Sequence, residues 1–341
     1  MSVLVSIIIP TLNRRKLVSD CILSILRQSL KDYEIIVVDD GSSDGTEEHL
    51  KNTFPMARVI RHPRPLGPAY SRNAGSIHAS GKHLYFLDSD VELPHSRVLE
   101  EMIRVMERSP DVDVAGGVAS FGADGNPKEL YGKFVTFDGR SYVKNISIHP
   151  HQSDGVHDCH YIETCNCLIR RSRFFKIGGF DPYYVYMGED KELGEKVIRS
   201  GGRCVISPKF AAIHRYAEDS AFDRRKMYLQ TKMRYAIKNR GVLFFFLVPF
   251  LDIFLYFLYY PALFILKKLT RLVGARTINH ALSPNYKAPR FRWLVQAPFH
   301  FLSAYWWNLR HLRKTLQCRG ANFLEADEMN RFHQFRMGQR A

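Results

Sequence analysis

The first third of the chain is built from apolar runs that read as buried strands, namely VLVSIII, YEIIVVDD and HLYFLDSD. Strands covered on both faces are near-continuous apolar runs of this kind, and they belong to parallel sheets. Amphipathic stretches lie between them. RKLVSDCILSILRQSL sets Leu17, Cys21 and Ile25 at four-residue spacing, with Ile22 and Leu26 alongside, which is the stripe of a helix. GPAYSRNAGSIHASG places Pro68 in the first turn of another helix and Gly81 past its end. ARVIRH is a shorter strand. Strands alternating with helices predict an α/β fold with a mostly parallel sheet flanked by helices.

Two of the strands end in acids, at Asp39 and Asp40 and at Asp88 and Asp90. Ligands of open parallel sheets sit outside the carboxyl ends of the strands. Asp88-x-Asp90 offers two hard oxygen ligands suited to Mg²⁺ or Mn²⁺, ions that bridge carboxylates to substrate phosphates. Acids at strand ends also serve as plain turn residues. DDGSSDGT has the same two sides. Ser43 or Asp44 suits a helix cap, and Asp40 suits a hydrogen bond to a nucleobase edge. Further on, EDKELGEKVIRSGG predicts a helix that Gly201 stops. Glu189 and Asp190 open it, where negative charge is favourable for the helix alone.

The middle of the chain is less regular. Residues 120 to 158 carry scattered Gly, Pro, Asp and His and read as long loops, and TCNCLIRR reads as a strand. HDCHYIETCNC groups two His and three Cys, but its spacing matches no common zinc pattern, and buried thiols are the simpler reading. The six cysteines are scattered and fit no small disulfide scaffold, which favours a reducing compartment. The apolar start has no basic segment before it and reads as a first strand, so the catalytic part is expected in the cytosol. The net charge of +15 fits an anionic membrane surface, anionic substrates or nucleic acid, and no nucleic-acid motif accompanies it.

Composition shifts near residue 226, which divides the chain into 1–225 and 226–341. Residues 242 to 266 are 25 residues with one charge, Asp252, long enough to cross a bilayer but broken by Pro249 and Pro261. Arg240 precedes the run, and Lys267, Lys268 and Arg271 follow it, so no clean charge asymmetry orients it. Spanning, hairpin, in-plane and buried-core readings stay open. FRWLVQAPFHFLSAYWWNLRHLRKTL puts Leu294, Pro298, Phe301, Leu302, Tyr305 and Leu309 on one side, with Trp306 and Trp307 suited to the headgroup level. That is the pattern of a helix lying in the interface. FDRRKMYLQTKMRY reads as a basic stripe beside anionic lipid.

The segments VSIIIPTLNRR, YEIIVVDDGSSDGT, GPAYSRNAGSIHASGKHLYFLDSDVELP, CNCLIRRSRFFKIGGFD and GEDKELGEKVIRSGG together resemble the family 2 glycosyltransferases with the GT-A fold, across residues 3 to 220. The resemblance implies the following. Pro10, Thr11 and Asn13 would lie beside the nucleotide, and Asp40 would hold its base. Arg72 and Asn73 would face the nucleotide-sugar. Asp88 would meet the ribose or sugar, and Asp90 would bind a divalent metal, Mg²⁺ or Mn²⁺. Asp190 would be the general base with Glu189 beside it, and His214 would stand near the diphosphate or metal. The donor would be a UDP-, GDP- or dTDP-sugar and the acceptor a lipid-linked or surface glycan, with transfer inverting. The tail resembles that of membrane-attached members, which implies the cytoplasmic face of a membrane, the inner one in a bacterium. A polyprenyl-phosphate sugar synthase and a membrane-anchored binding protein with an inactive transferase fold are the competing readings. Gln230 and Arg234 are similar to the Gln-x-x-Arg-Trp of processive synthases, but the spacing is off by one and Tyr235 stands for Trp.

Overall fold

A computed structural model describes residues 3–117, 119–120, 130–136, 141–146, 155–184, 187–215, 224–241, 243–244, 246–247 and 291–338. The strands are β1 (Val5–Thr11), β2 (Tyr33–Asp39), β3 (Ala57–Arg61), β4 (His83–Leu87), β5 (Val91–Glu92), β6 (Val112–Gly116), β7 (Ala119–Ser120), β8 (Leu130–Val135), β9 (Ser141–Ile146), β10 (His157–Cys159), β11 (Asn166–Arg170), β12 (Arg203–Ile206) and β13 (Ala212–His214). The helices are α1 (Arg15–Leu26), α2 (Thr46–Thr53), α3 (Pro68–Ile77), α4 (Val98–Arg108), α5 (Arg171–Lys176), α6 (Glu189–Arg199), α7 (Arg224–Arg240), α8 (Phe291–Arg310), α9 (Leu312–Gln317) and α10 (Ala326–Gly338).

The central sheet has eight strands in the order β10-β12-β6-β11-β4-β1-β2-β3. β1 runs parallel to both β2 and β4, and β2 parallel to β3. β11 enters antiparallel between β4 and β6. The carboxyl ends of β1, β2 and β4 therefore lie side by side, as the apolar runs and their acidic ends predicted. A three-stranded sheet, β5-β13-β7, brings His214 beside Val91, one residue past Asp90.

Alternation along β1 divides the core. Ile7 and Ile9 pack with Val18, Ile22 and Ile25 of α1 on one face. Ile8 packs on the other face with Val38, Phe86 and Phe180. The Phe86 ring lies 5.2 Å from Phe174 and 5.0 Å from Phe180, within the range of favourable aromatic pairs. Gly75 lets α3 lie close on the sheet, since a Cβ there would meet the Ile8 side chain at 2.6 Å.

One part of the chain differs from the sequence reading. Residues 120 to 158 were expected to be loops, yet β8 and β9 form an antiparallel hairpin with Leu130 opposite Ile146 and Val135 opposite Ser141. LYGKFV and SYVKNI carry the β-branched and aromatic residues of strands, and the turn formers around them obscured the pair.

The chain divides into two compact units. The first holds residues 1–136, 141–221 and 320–341, and the second holds 137–140 and 222–319. The last twenty-two residues thus fall in the first unit. There the Phe323 N–H donates to the Gly178 carbonyl at 2.9 Å. Phe332 stacks on Tyr70 at 5.4 Å and meets Tyr183 edge-on at 5.1 Å.

In the second unit Met233, Ala236 and Ile237 of α7 form a small core with Tyr305, Leu312 and Leu316 against it. Arg234 is buried and donates to Thr315 Oγ1 at 2.8 Å. The predicted apolar side of α8 is divided: Tyr305 packs against this core, while Leu302 is 67 % and Leu309 41 % exposed, and the helix buries Ala304 and Asn308 instead. Among the described residues no helix is long and apolar enough to cross a membrane. Most of the 242–266 run lies outside the described residues.

Phe332 is fully buried in the first unit. Phe332→Ala is expected to destabilise that unit by about 3–5 kcal/mol, read as a lower midpoint in urea unfolding of the full chain.

Candidate active site

The site forms where β1, β2 and β4 end and α6 begins. Asp88 and Asp90 follow β4 directly, and a tight turn fixes them, with Val91 N–H donating to the Asp88 carbonyl at 3.0 Å. His214 closes the group. Its Nε2 lies 3.2 Å from Asp90 Oδ1, and ligand atoms of Asp88, Asp90 and His214 all lie within 4.8 Å of one another. Two carboxylates and an imidazole suit a divalent ion of the Mg²⁺ or Mn²⁺ type. Asp90 is held below the usual carboxylate range by His214 and Arg14, which outweigh the opposing effect of burial. Donation to the Asp90 carboxylate raises the His214 pKa, again against burial.

Arg72 reaches this group from the first turns of α3. Its Nη2 donates to Asp88 Oδ1 at 2.7 Å and its Nη1 to Glu189 Oε1 at 3.1 Å. The guanidinium is buried and sits 5.7 Å from the Phe180 ring centroid. Phe180 is itself fastened by Asn73, which donates Nδ2 to its carbonyl at 2.8 Å and accepts its N–H at 2.9 Å. Asn73 was expected to face a ligand, and here both ends of its amide hold Phe180 under Arg72.

Gly188, at φ 94°, makes the turn that starts α6 and brings Glu189 and Asp190 to the site. Burial, and then the neighbouring Asp190, push the Glu189 carboxyl up to about 7, against the pull of Arg72. Glu189 Oε2 is buried without a hydrogen-bond partner among the described residues. Asp190 is half-buried, and its pKa is raised first by burial, opposed by Lys133. Its Oδ1 accepts the Lys191 N–H at 2.7 Å. A carboxylate with a raised pKa is a competent proton acceptor near neutral pH.

The β1 and β2 ends are tied together. Asn13 adopts φ 52°, donates its N–H to Ser42 Oγ at 2.9 Å and accepts the Ser43 N–H at 2.8 Å. Pro10 pairs in register with Val38. Thr11 Oγ1 is buried with no partner among the described residues. The Asp40 carboxylate accepts from Leu66 N–H and Gly67 N–H at 2.9 and 2.8 Å and pairs with His62 at 2.8 Å. Asp40 thereby holds the loop that leads into α3.

The sequence reading named Asp88, Asp90, Glu189, Asp190, His214 and Arg72, and the structure gathers them in one region of the first unit. It did not name Arg14, whose Nη1 lies 2.6 Å from Asp90 Oδ2, nor His62 and Phe180. The basic pair Arg14-Arg15 directly after a strand end was the available signal for the first. His62 and Phe180 carried none. Burial keeps the thiols of Cys159 and Cys167 protonated, pushing each up to about 12.

A family model described as glycosyl transferase family 2 matches residues 6–177. The chain belongs to the family 2 glycosyltransferases. The transferase is 26 % identical to glycosyltransferase AglE of Haloferax volcanii over 58 % of this chain and 62 % of that one. It is 32 % identical to the putative teichuronic acid biosynthesis glycosyltransferase TuaG of Bacillus subtilis over 38 % of this chain and 52 % of that one. The match thus spans less than two thirds of the length of each relative. Its fold resembles that of the mannosyltransferase PcManGT of Pyrobaculum calidifontis, solved with GDP-Man and Mn²⁺, with a TM-score of 0.54, 17 % identity and coverage of 89 % of this chain and 86 % of that one. The fold is therefore of the GT-A kind.

The Glu189 environment has a measurable consequence. With its ordinary value of 4.5 raised to about 7 in the fold, the folded state keeps a proton that the unfolded chain has lost between those values. Stability is then expected to fall as pH rises from about 4.5 to 7 and to level off above. Glu189→Gln, which keeps an acceptor for Arg72, is expected to flatten that slope in urea midpoints measured across the range.

Proposed function

We propose that this glycosyltransferase moves a hexose-type sugar from a nucleotide-sugar donor to a lipid-linked or surface-glycan acceptor, with inversion at the anomeric carbon. The observation that carries the reading is the Arg72 bridge, which ties Asp88 of the metal-type cluster to Glu189, next to Asp190. Donor-side and acceptor-side groups are thereby held in one rigid arrangement. Asp88, Asp90 and His214 would hold the metal, which supplies charge neutralisation for the leaving diphosphate. Asp190 takes the proton of the acceptor hydroxyl as the new bond forms on the face opposite the leaving group. Thr11 Oγ1, buried and unpartnered, is a polar contact for the donor beside β1.

The acceptor class is supported by the likeness to TuaG, a putative teichuronic acid biosynthesis glycosyltransferase. The membrane part of the reading is supported by the second unit. Leu302, Trp306 and Leu309 recur at four- and three-residue spacing on the exposed side of α8, and Arg310 stacks over Trp306 at 5.3 Å. An apolar stripe edged by cations suits a helix lying at the surface of an anionic leaflet. The site would then face the cytoplasm.

The test is nucleoside-diphosphate release from a panel of UDP-, GDP- and dTDP-sugars with Mn²⁺ or Mg²⁺ and a membrane lipid extract. Release is expected with one donor, is lost in EDTA, and drops by about 10²–10⁴ in Asp190→Asn. Activity with polyprenyl phosphate alone as acceptor would favour the synthase reading. Donor binding with no release, and no change in Asp190→Asn, would favour an inactive binding protein.

A further inference from the structure

Arg14 pairs with Asp90 but belongs neither to the candidate metal ligands nor to the acceptor-side acids. It begins the polypeptide's path into α1, and Asn13 directs it. Asn13 is the one non-glycine residue with positive φ among the described residues, at 52°. Such a backbone is uncommon for a side-chain-bearing residue, and Asn tolerates it best. Two hydrogen bonds to the β2 loop, through Ser42 and Ser43, hold it there. The outcome is that the chain turns at the end of β1 and Arg14 lies over Asp90, 76 residues away in sequence.

The Asp90 carboxylate therefore has a basic side chain beside each oxygen. Arg14 Nη1 is 2.6 Å from Oδ2, and His214 Nε2 is 3.2 Å from Oδ1. The side chain of Asp90 is 7 % exposed, so this charge pair is shielded from solvent on the Asp90 side. The two partners are not equivalent. An imidazole gives up its proton and becomes a metal ligand, while a guanidinium stays charged and cannot ligate. A divalent cation on Asp90 would therefore meet an uncompensated positive charge at the second oxygen. Arg14 is also 37 % exposed, so its guanidinium stays open to solvent just past the end of β1. Planar guanidinium groups of this kind match phosphate oxygens.

We infer that Arg14 couples divalent-metal binding to nucleoside-diphosphate binding: it opposes the metal on Asp90 until a diphosphate arrives to accept its charge. This rests on the metal and nucleotide-sugar reading given above and adds a residue and an order to it. Metal alone binds weakly because Arg14 already neutralises Asp90. With a diphosphate at the strand ends, the same guanidinium attracts the ligand and its repulsion of the metal is offset. Each ligand then strengthens the other, by an equal factor in both directions. Arg14 is thus a positioning and electrostatic residue for both ligands rather than a ligand of the metal.

The test is Mn²⁺ affinity by electron paramagnetic resonance, without nucleotide and then with saturating UDP or GDP, for the full chain and for Arg14→Gln, Arg14→Lys and Asp90→Asn. In Arg14→Gln, Mn²⁺ alone is expected to bind about tenfold tighter, since a like charge has gone. With nucleotide, Mn²⁺ and nucleotide are both expected to bind several-fold weaker than in wild type. The ratio of the two Mn²⁺ affinities therefore falls. Arg14→Lys keeps the charge and is expected to keep most of the ratio. A merely structural Arg14 would weaken binding in both conditions alike and leave the ratio unchanged, which would overturn the inference. Asp90→Asn separates the two levels. If it abolishes Mn²⁺ binding while Arg14→Gln leaves the ratio at the wild-type value, the metal site stands and the coupling role falls. If the wild-type chain binds no Mn²⁺ in either condition, both fall together.

Discussion

The Arg72 guanidinium is buried between Asp88 and Glu189, and the rest of the site is arranged around that charge. A guanidinium does not shed its proton at any ordinary pH, so its burial demands anionic partners. Removing one partner of such a group leaves an uncompensated buried charge, a defect of about 3–5 kcal/mol. The fold meets the demand with the Asp88 carboxylate at the end of β4, and Glu189 at the start of α6 adds a second oxygen acceptor. Because the same guanidinium bonds both, the relative position of those two elements is set by the geometry of one planar group. Phe180 supports it from beneath, and Asn73, the next residue along α3, grips the Phe180 backbone at both N–H and carbonyl. Two adjacent residues of one helix thus fix the charge and the surface on which it rests.

The sheet explains why donors of such different origin meet. β1, β2 and β4 are parallel neighbours, so their carboxyl ends form one rim, and the residues just past those ends share it. The loops on that rim are braced to each other rather than left to themselves. Asn13 links the β1 end to the β2 loop, and Asp40 uses both oxygens to hold the loop entering α3. The tail adds a brace from a distance. Phe332 stacks on Tyr70, which lies edge-on to His62, the partner of Asp40. An aromatic chain therefore runs from the last helix to the loop beside the predicted base site. A segment remote in sequence contributes to the rigidity that catalysis by positioning requires.

Much of the frame was legible in the sequence because it is encoded by local rules. Apolar runs such as VLVSIII and IIVV fit strands buried on both faces, and the spacing of Cys21, Ile22 and Ile25 fits one face of α1. Pro68 and Gly201 act within a residue or two of themselves, so their consequences for the start of α3 and the end of α6 follow from the chain alone. The β8–β9 hairpin was less legible, since its strands are short and surrounded by turn-forming residues. α8 was legible as a helix but not in its orientation. Apolar residues occupy more than one side of it, and only packing on α7 decides that Ala304 and Asn308 go inward while Leu302 and Trp306 go out.

The acids of the site were visible as residues, since Asp88, Asp90, Glu189 and Asp190 all stand where an apolar run ends or a helix begins. Their partnerships were not. Arg72 and Glu189 are 117 residues apart, and Arg14 and Asp90 are 76 apart. No periodicity or spacing connects positions so distant, because the distance between them is a property of how strands pair and loops cross. Sequence by itself determined the sheet-and-helix frame, the family, and which side chains carry charge at strand ends. Only the tertiary structure decided which of those charges face one another, that Asp40 and Asn73 bind backbone, and that Arg14 and His214 divide the two oxygens of Asp90. The physical reason is that backbone preferences act over a few residues, whereas electrostatic pairing acts through space and is settled when the sheet closes.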